Sequence, residues 1–528
     1  MCGITFVFSE WVPKVFSSSI SHRGPDNHCQ LLTDIGLFAF DRLAVNDLTS
    51  GANQPFDNGD GVLICNGEIY NHRELKKQFD LPVRSMSDCE CLLWLLCNQN
   101  NAHLEDRASV FRLLDAEFAC VFYDRETDEV IAARDPLGVR PLYVAYDNNK
   151  RVVGFSSEAK GLASLPDAVR FKQFPPGRYW TSKDNKFKSY DTVALPRHAE
   201  ALQTFGWNFD THVNAIRSYL IEAVEKRAVS HSDRPVAYFL SGGLDSSVIA
   251  AIGASMNAEP ITTYSIGIQG AESSPDLVHA RIMAEHIGAN HREILIDPND
   301  ALGYVRRVIC KLETYDCTTV RASVPMFILS EYIAHHSDHR VLLSGEGADE
   351  LFGGYLYFHN APTDEAFHDE TIRLLRNIHQ FDGLRADRCT AAHGLELRVP
   401  FLDILLVNYV TTAICPSMKH PAKHGIEKKL LREAFKHLLP DAIVYRQKNG
   451  MSDAVGYSWV DRLKDAAAPK DTIVYETNPP LTDEERWYRE IFHEYYDDWD
   501  CSHNTIWRPR WTEETDPSAR KLSVFEGK

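Results

Sequence analysis

One stretch restricts the folds open to this chain more than any other. Val236-Ala-Tyr-Phe-Leu240, a β-type run, leads through Ser241-Gly-Gly-Leu-Asp-Ser-Ser247 into a helix expected over Asp245–Met256. A strand that turns on two glycines into a helix aims that helix's free N–H groups and positive dipole end beyond the strand. The same grammar continues downstream. Ile261–Ile266 reads as a strand, and Ser274-Pro275-Asp276 as a helix start with proline at the first helical position. Leu277, Ala280, Ala284 and Ile287 then supply one apolar face. Arg292–Ile296 and Arg340–Leu343 read as further strands. Such alternation predicts a doubly wound parallel α/β sheet, with ligands beyond the carboxyl ends of its strands.

The residues before about 190 follow another pattern. Ile4–Phe8, Gly36–Phe40 and Gly61–Cys65 are short β-type runs. Ala119–Tyr123 turns into Val130–Ala133, and Leu142–Tyr146 into Val152–Phe155, as two hairpins. A helix is expected around Asp88–Gln99. Stacked antiparallel sheets with helices outside follow from this. The chain therefore divides into an N-terminal domain over 2–185, a linker over 186–211 and a C-terminal domain over 212–528. The acidic, Trp-rich final segment is expected to pack over the second domain.

Composition narrows the partners. There are 56 basic and 74 acidic residues, a formal charge of −18, which argues against nucleic acid as the main partner. No apolar run approaches the ~20 residues that span a bilayer. The longest, Cys91–Cys97, is far too short, so no membrane association is expected. Met1-Cys2-Gly3-Ile4 has no basic n-region, and no signal peptide is expected. The twelve cysteines show no C-x-x-C pair or zinc spacing. Reduced thiols and a cytoplasmic location are the expectation.

The loop at 241–247 makes an anion cradle from glycine backbone, three serine hydroxyls and a helix N-terminus. It is not a Walker A loop, because no Gly-Lys-Ser/Thr follows. Asp245 inside it would repel phosphate unless a cation intervened, which calls for Mg²⁺. The plain alternative is a Gly-Ser turn with a helix cap. Ser344-Gly-Glu-Gly-Ala-Asp-Glu350 follows the next strand of that sheet edge and offers Glu346, Asp349 and Glu350. A solvated turn with capping acids is its plain alternative, and it suits Glu350 better than Glu346, which two glycines flank.

These loops resemble those of ATP-splitting ligases that release AMP and pyrophosphate, and nearly the whole chain resembles the glutamine-dependent asparagine synthetases. Leu312–Asp316, Thr319–Ser323, Gly394–Asp403, Tyr445–Lys448 and Asp516–Arg520 carry the likeness further. The resemblance implies adenylation of the aspartate β-carboxylate. It puts ATP on Phe239, Ser241, Gly242, Gly243, Leu244, Asp245, Ser246, Ser247, Ile266, Ser344 and Gly345, with Mg²⁺ at Asp245 and Asp349. Phe239 stands where the family generally has a smaller aliphatic residue. Glu346 would take a proton from attacking ammonia, and Lys448 would supply positive charge to the departing pyrophosphate. Arg398 and Asp403 are expected to order the core near the aspartate pocket.

Ammonia must arrive unprotonated, and hydrolysis of glutamine nearby can supply it. Once Met1 is removed, Cys2 carries both a thiol and a free α-amine, a base with a pKa of ~7.7–8.0 in peptides. The plain alternative is a small buried cysteine that begins a strand. His22–Asp26, Asn66–Asn71, Ser87–Glu90 and Arg134-Asp135 resemble the N-terminal-nucleophile glutamine amidotransferases, which implies an αββα sandwich. By that resemblance Asn66 and Gly67 form an oxyanion hole. Arg42, with Leu43, Ala44, Val45 and Asn46, receives glutamine and holds its α-carboxylate, and Glu68 and Asp88 hold its α-ammonium. Asn46 stands where the family is expected to be apolar. The implied partners are the small molecules L-aspartate, L-glutamine and ATP, with a homodimer as the assembly considered. A ligase on the same scaffold without glutamine use, and a silent glutamine-binding protein, are the rival readings.

Overall fold

The computed structural model describes residues 1–97, 106–165, 167–190, 192–196, 208–228, 231–447, 458–468, 474–496, 505–512 and 516. Twelve strands form its first part: β1 (Gly3–Phe8), β2 (Asn27–Leu32), β3 (Gly36–Arg42), β4 (Phe56–Asp57), β5 (Gly61–Ile69), β6 (Ala116–Asp124), β7 (Glu129–Arg134), β8 (Tyr143–Tyr146), β9 (Val152–Ser156), β10 (Arg170–Gln173), β11 (Arg178–Thr181) and β12 (Lys186–Ser189). They make two six-stranded sheets, ordered β10-β8-β9-β1-β3-β2 and β12-β11-β7-β6-β5-β4.

The period-two alternation of strand side chains builds the layers. On β5, Val62 and Ile64 point between the sheets and meet Ile4, Phe6, Phe38 and Val121. Leu63 and Cys65 face the other way, onto Leu92, Leu95 and Leu96 of the helix Glu90–Cys97. On the first sheet, Val7, Ala145 and Val153 turn outward against Leu162 of the helix Lys160–Ala163. The result is the four-layer αββα sandwich. Every expected strand is present, several of them longer. Strands β2, β10 and β12, which had no expectation, lie at sheet edges. There, polar residues on the open side remove the apolar run that would mark a strand.

The second part is built on β13 (Val236–Phe239), β14 (Thr262–Ile268), β15 (Asn290–Ile296), β16 (Val341–Leu343) and β17 (Glu396–Arg398). Their order is β15-β14-β13-β16-β17 and every pairing is parallel, as the strand–helix alternation predicts. Leu220, Val224, Val248, Ile252 and Leu342 form one core. In another, Tyr488, Ile491 and Phe492 of the late helix Asp483–Tyr496 pack on Val308, Ile309 and Leu312. The described part of the final segment therefore covers the second domain, as expected.

The two parts meet along buried charge. Arg23 bonds Asp387 (2.8 and 3.0 Å) and Glu158 (2.8 Å). Arg388 pairs with Glu158 and Glu313, both at 2.8 Å. Arg227 joins Glu117 to Asp403, again at 2.8 Å. Buried pairs add little net stability, but losing one partner strands a charge at a cost of about 3–5 kcal/mol. They fix how the parts fit together. The short edge strand β17 is covered at the same seam: Leu395 O accepts from the chain's terminal amine (3.2 Å) and Leu397 O from Arg140 (3.1 Å). None of the eleven described cysteines is in a disulfide, and no described helix is long and apolar enough to cross a membrane.

Candidate functional site

Cys2 immediately precedes β1. Its Sγ lies 3.6 Å from Leu43 O, and its carbonyl accepts from Arg23 Nε at 3.0 Å. Burial pushes the thiol up to about 11, so it is protonated at neutral pH. Burial also pushes the terminal amine, here that of Met1, down to about 6, so the amine is neutral.

Asn66 and Gly67 sit in mid-β5. A Cβ on Gly67 would lie 2.5 Å from Glu117 O and 2.7 Å from Phe118 Cα, so only glycine fits. Asn66 is 1% exposed, and its Nδ2 has no hydrogen-bond partner among the described residues. A buried orphan donor is costly, and it marks a place kept for an acceptor.

The glutamine-pocket residues named from sequence fall together around the end of β3. Leu43, Ala44 and Val45 are buried there. Asn46 donates to Glu68 Oε2 (2.6 Å) and to Asp88 Oδ1 (3.4 Å), so an amide rather than an apolar group fits between two acids. Asp88 also accepts from Ile69 N at 2.7 Å. Burial raises the Glu68 carboxyl well above its ordinary range, against the opposing pull of Arg398. Arg42 is differently engaged from the expected fork. Its terminal nitrogens donate to Thr49 O (2.7 Å), Asn53 Oδ1 (2.7 Å), Asn46 O (3.4 Å) and Asp47 O. A buried guanidinium needs all these acceptors, and in return it pins the loop that presents Asn46.

The second cluster lies beyond the carboxyl ends of β13 and β16. Ser241 and Ser246 hydroxyls meet at 3.0 Å, and Gly243 N donates to Ser241 Oγ at 3.4 Å. Gly242 has φ +72°, and a Cβ there would stand 2.4 Å from Ala280 N of the helix Pro275–His286. Leu244 and Ser247 are buried, and Ser247 Oγ has no described partner. Phe239 and Ile266 are half-buried at neighbouring strand ends. The two loops touch: a Cβ on Gly345 would lie 2.7 Å from Asp245 Cβ. Ser344 N donates to Arg398 O at 3.2 Å.

The acids of the second loop are all paired. Glu346 accepts from Arg385 at 2.6 Å, and Arg385 also holds Asp382 at 2.6 Å. Glu350, for which a solvated cap was the plain alternative, is instead buried. It accepts from Tyr355 Oη at 2.6 Å, and burial raises its carboxyl well above the usual range. Asp245 and Asp349 converge on one ammonium, that of Lys428, at 2.6 and 2.5 Å. Sequence reasoning missed Lys428, whose only signal is Glu427-Lys-Lys429 ahead of an apolar helix start. Lys448, the other cation expected here, lies outside the described residues. Arg398 was expected near an aspartate pocket. It reaches the other way, to Glu68 at 3.1 Å, because β17 borders the first domain.

Comparison with known proteins matches two family descriptions. Residues 1–185 fit a glutamine amidotransferase domain, and residues 215–365 and 360–523 fit asparagine synthase. The glutamine-hydrolysing asparagine synthetase of Gallus gallus is 38% identical over 572 residues, covering 100% of this chain and 99% of that one. The human counterpart is 38% identical over 578 residues with the same coverage. A probable asparagine synthetase of Acanthamoeba polyphaga mimivirus is 37% identical over 565 residues, covering 99% of this chain and 100% of that one.

Proposed function

This chain belongs to the glutamine-hydrolysing asparagine synthetase family, and on that premise we propose that it converts L-aspartate, ATP and L-glutamine into L-asparagine, AMP, diphosphate and L-glutamate. The observation that carries the reading is that one chain holds both halves of the chemistry. Cys2, to which removal of Met1 would give a free α-amine, shares its sandwich with the orphaned Asn66 amide. A serine–glycine cradle faces a second acidic loop one strand away.

In the first half, Cys2 Sγ attacks the glutamine amide carbon while the α-amine, made Cys2's own by removal of Met1, accepts the thiol proton. Asn66 Nδ2 and Gly67 N–H stabilise the oxyanion. That proton then passes to the leaving nitrogen, and ammonia departs. Water, with the same amine as base, releases L-glutamate. Glu68 and Asp88 receive the substrate ammonium. Arg42 secures the pocket loop and receives the α-carboxylate, exchanging carbonyl partners for it.

In the second half, the backbone and hydroxyls of 241–247, with the orphaned Ser247 hydroxyl, cradle the pyrophosphate. Phe239, Ile266, Ser344 and Gly345 line the adenosine end. Aspartate's β-carboxylate displaces diphosphate to give β-aspartyl-AMP, which ammonia opens with loss of AMP. Glu346, paired with Arg385 at 2.6 Å, takes the proton from the attacking ammonia. Lys428 and Lys448 offset the phosphate charge. Asp245 and Asp349 converge closely enough for one cation, which fits Mg²⁺, an ion that commonly uses one or two carboxylates beside substrate phosphates. When bound, that ion would supply charge neutralisation at the phosphates.

We assign residues 2–185 to the glutaminase and 212–528 to the synthetase, joined by 186–211, with an internal passage for ammonia. A cytoplasmic homodimer completes the proposal. Incubation with glutamine labelled at the amide nitrogen tests it. Label should enter the asparagine amide only with ATP and aspartate present, with one AMP formed per asparagine. Unlabelled asparagine, or none, would overturn the reading.

A further inference from the structure

The glutamine pocket is not closed by its own domain. Strand β17 belongs to the parallel sheet of the synthetase half, where Glu396, Leu397 and Arg398 pair with Val341, Leu342 and Leu343. Alternate side chains of a strand share a face. Leu397 therefore enters the synthetase core, while Glu396 and Arg398 both face the glutaminase half. Arg398 is fully buried. Its Nη2 lies 3.1 Å from Glu68 Oε2, its Nε donates to Glu396 at 2.8 Å, and its Nη1 donates to Arg227 O at 2.8 Å. The oxygen of Glu68 that Arg398 faces is the one that takes the Asn46 amide.

Resting on the proposed role of Glu68 in receiving the glutamine ammonium, we infer that Arg398 is a positioning residue of the glutaminase site, supplied by the synthetase domain to aim Glu68 and to favour its anionic form. A lone carboxylate at 4% exposure would take up a proton and lose its attraction for an ammonium. The charged groups around Glu68 are Arg398, Glu396, Asp88 and Arg140, with the Cys89 thiol close by. Glu396 and Asp88 favour protonation of Glu68. Arg140 opposes it from farther away, and Arg398 is the cation in contact. Because the Arg398 backbone carbonyl also holds Ser344 N at the ATP loop, one residue borders both sites.

The test is glutaminase kcat/KM against pH for the full-length chain. Glu68 must be anionic to bind glutamine, and Arg398 lowers its pKa. Arg398→Gln should therefore move the acid limb to higher pH by roughly one unit and raise KM near neutrality about tenfold, with kcat little changed. Arg398→Lys, which keeps the charge without the planar fork, should move the limb by a smaller amount in the same direction. In a Glu68→Gln background, Arg398→Gln should have no further effect on the limb. An unmoved limb in both Arg398 variants, while Glu68→Gln still raises KM, overturns the inference and leaves the pocket assignment standing. A Glu68→Gln variant with ordinary glutamine KM overturns the pocket assignment itself. If Arg398→Gln does not fold, the Lys variant decides alone, and an unmoved limb there is the overturning result.

Discussion

The two sites of this chain are prepared in opposite ways. Around Cys2 the groups proposed for amide hydrolysis are neutral or unmatched: a thiol held protonated, and an amide donor with no described acceptor, beside a Met1 amine that burial also holds unprotonated. Around the two loops of the parallel sheet, the acids of the second loop and Asp245 are already matched, Asp245 and Asp349 through Lys428, Glu346 through Arg385 and Glu350 through Tyr355. The difference follows from what each site receives. Amide hydrolysis develops one small negative charge on an otherwise neutral group, so the best preparation is a fixed, dry donor. Adenylation brings in a polyanion, and a site of bare carboxylates would reject it. Paired cations hold those carboxylates in place until phosphate oxygens compete for them.

The largest effects should come from breaking one site and sparing the other. Cys2→Ala should abolish glutamine-dependent synthesis and glutaminase turnover while ammonia-dependent synthesis continues. Asp245→Asn should do the reverse, cutting both synthetic routes by about 10²–10³ while glutamine is still hydrolysed. Parallel assays of glutamate, AMP and asparagine check the pair, and equal loss of every activity in either variant would erase the distinction between the sites. Next in size, Asn66→Leu removes the unmatched donor. Glutaminase kcat should fall roughly 10²–10³-fold, about 2.7–4 kcal/mol, with little change in glutamine KM. A smaller effect belongs to Gly345→Ala. Its Cβ would meet Asp245 C and Ser246 N, both at 2.8 Å, backbone that cannot step aside cheaply. Overpacking of about 1–3 kcal/mol should appear as a raised KM for ATP, with glutaminase kinetics unmoved.

The same contrast decides what could be read beforehand. The short β-type runs and the Gly-Ser turn after β13 are local patterns, and they gave the stacked antiparallel sheets and the parallel sheet, whereas the pocket residues came from the family resemblance. Lys428 was beyond such reading, because it meets Asp245 across 183 residues and no spacing in the sequence links them. Strand β17 escaped for a different reason. Three residues with charge at both ends carry no apolar alternation, and they form a strand only because β16 lies alongside and the first domain covers the open edge. The contact of Arg398 with Glu68 was consequently not legible beforehand. For Glu350 the solvated cap stayed open as an alternative, because a carboxylate in a Gly-rich loop looks solvated until a tyrosine from five residues on is found closing over it.

The smallest expected effect is also the most diagnostic of the first site. An exposed α-amine titrates near ~8; burial brings that of Met1 down to about 6, and the Cys2 amine freed by removal of Met1 should be lowered in the same direction. Glu396 favours the protonated amine, while Arg23 and Arg140 disfavour it. The base form is the one that takes the thiol proton, and it predominates above the folded value. Glutaminase kcat should therefore stay level above the lowered value and fall about tenfold per unit below it, with the limb lying under the ~8 of an exposed amine. Ammonia-dependent synthesis should instead go on rising where glutaminase is level, as ammonium loses its proton, because it bypasses Cys2. A glutaminase limb found near 8 instead would mean an amine in contact with water. The dry preparation that separates this site from the ATP site would then be wrong.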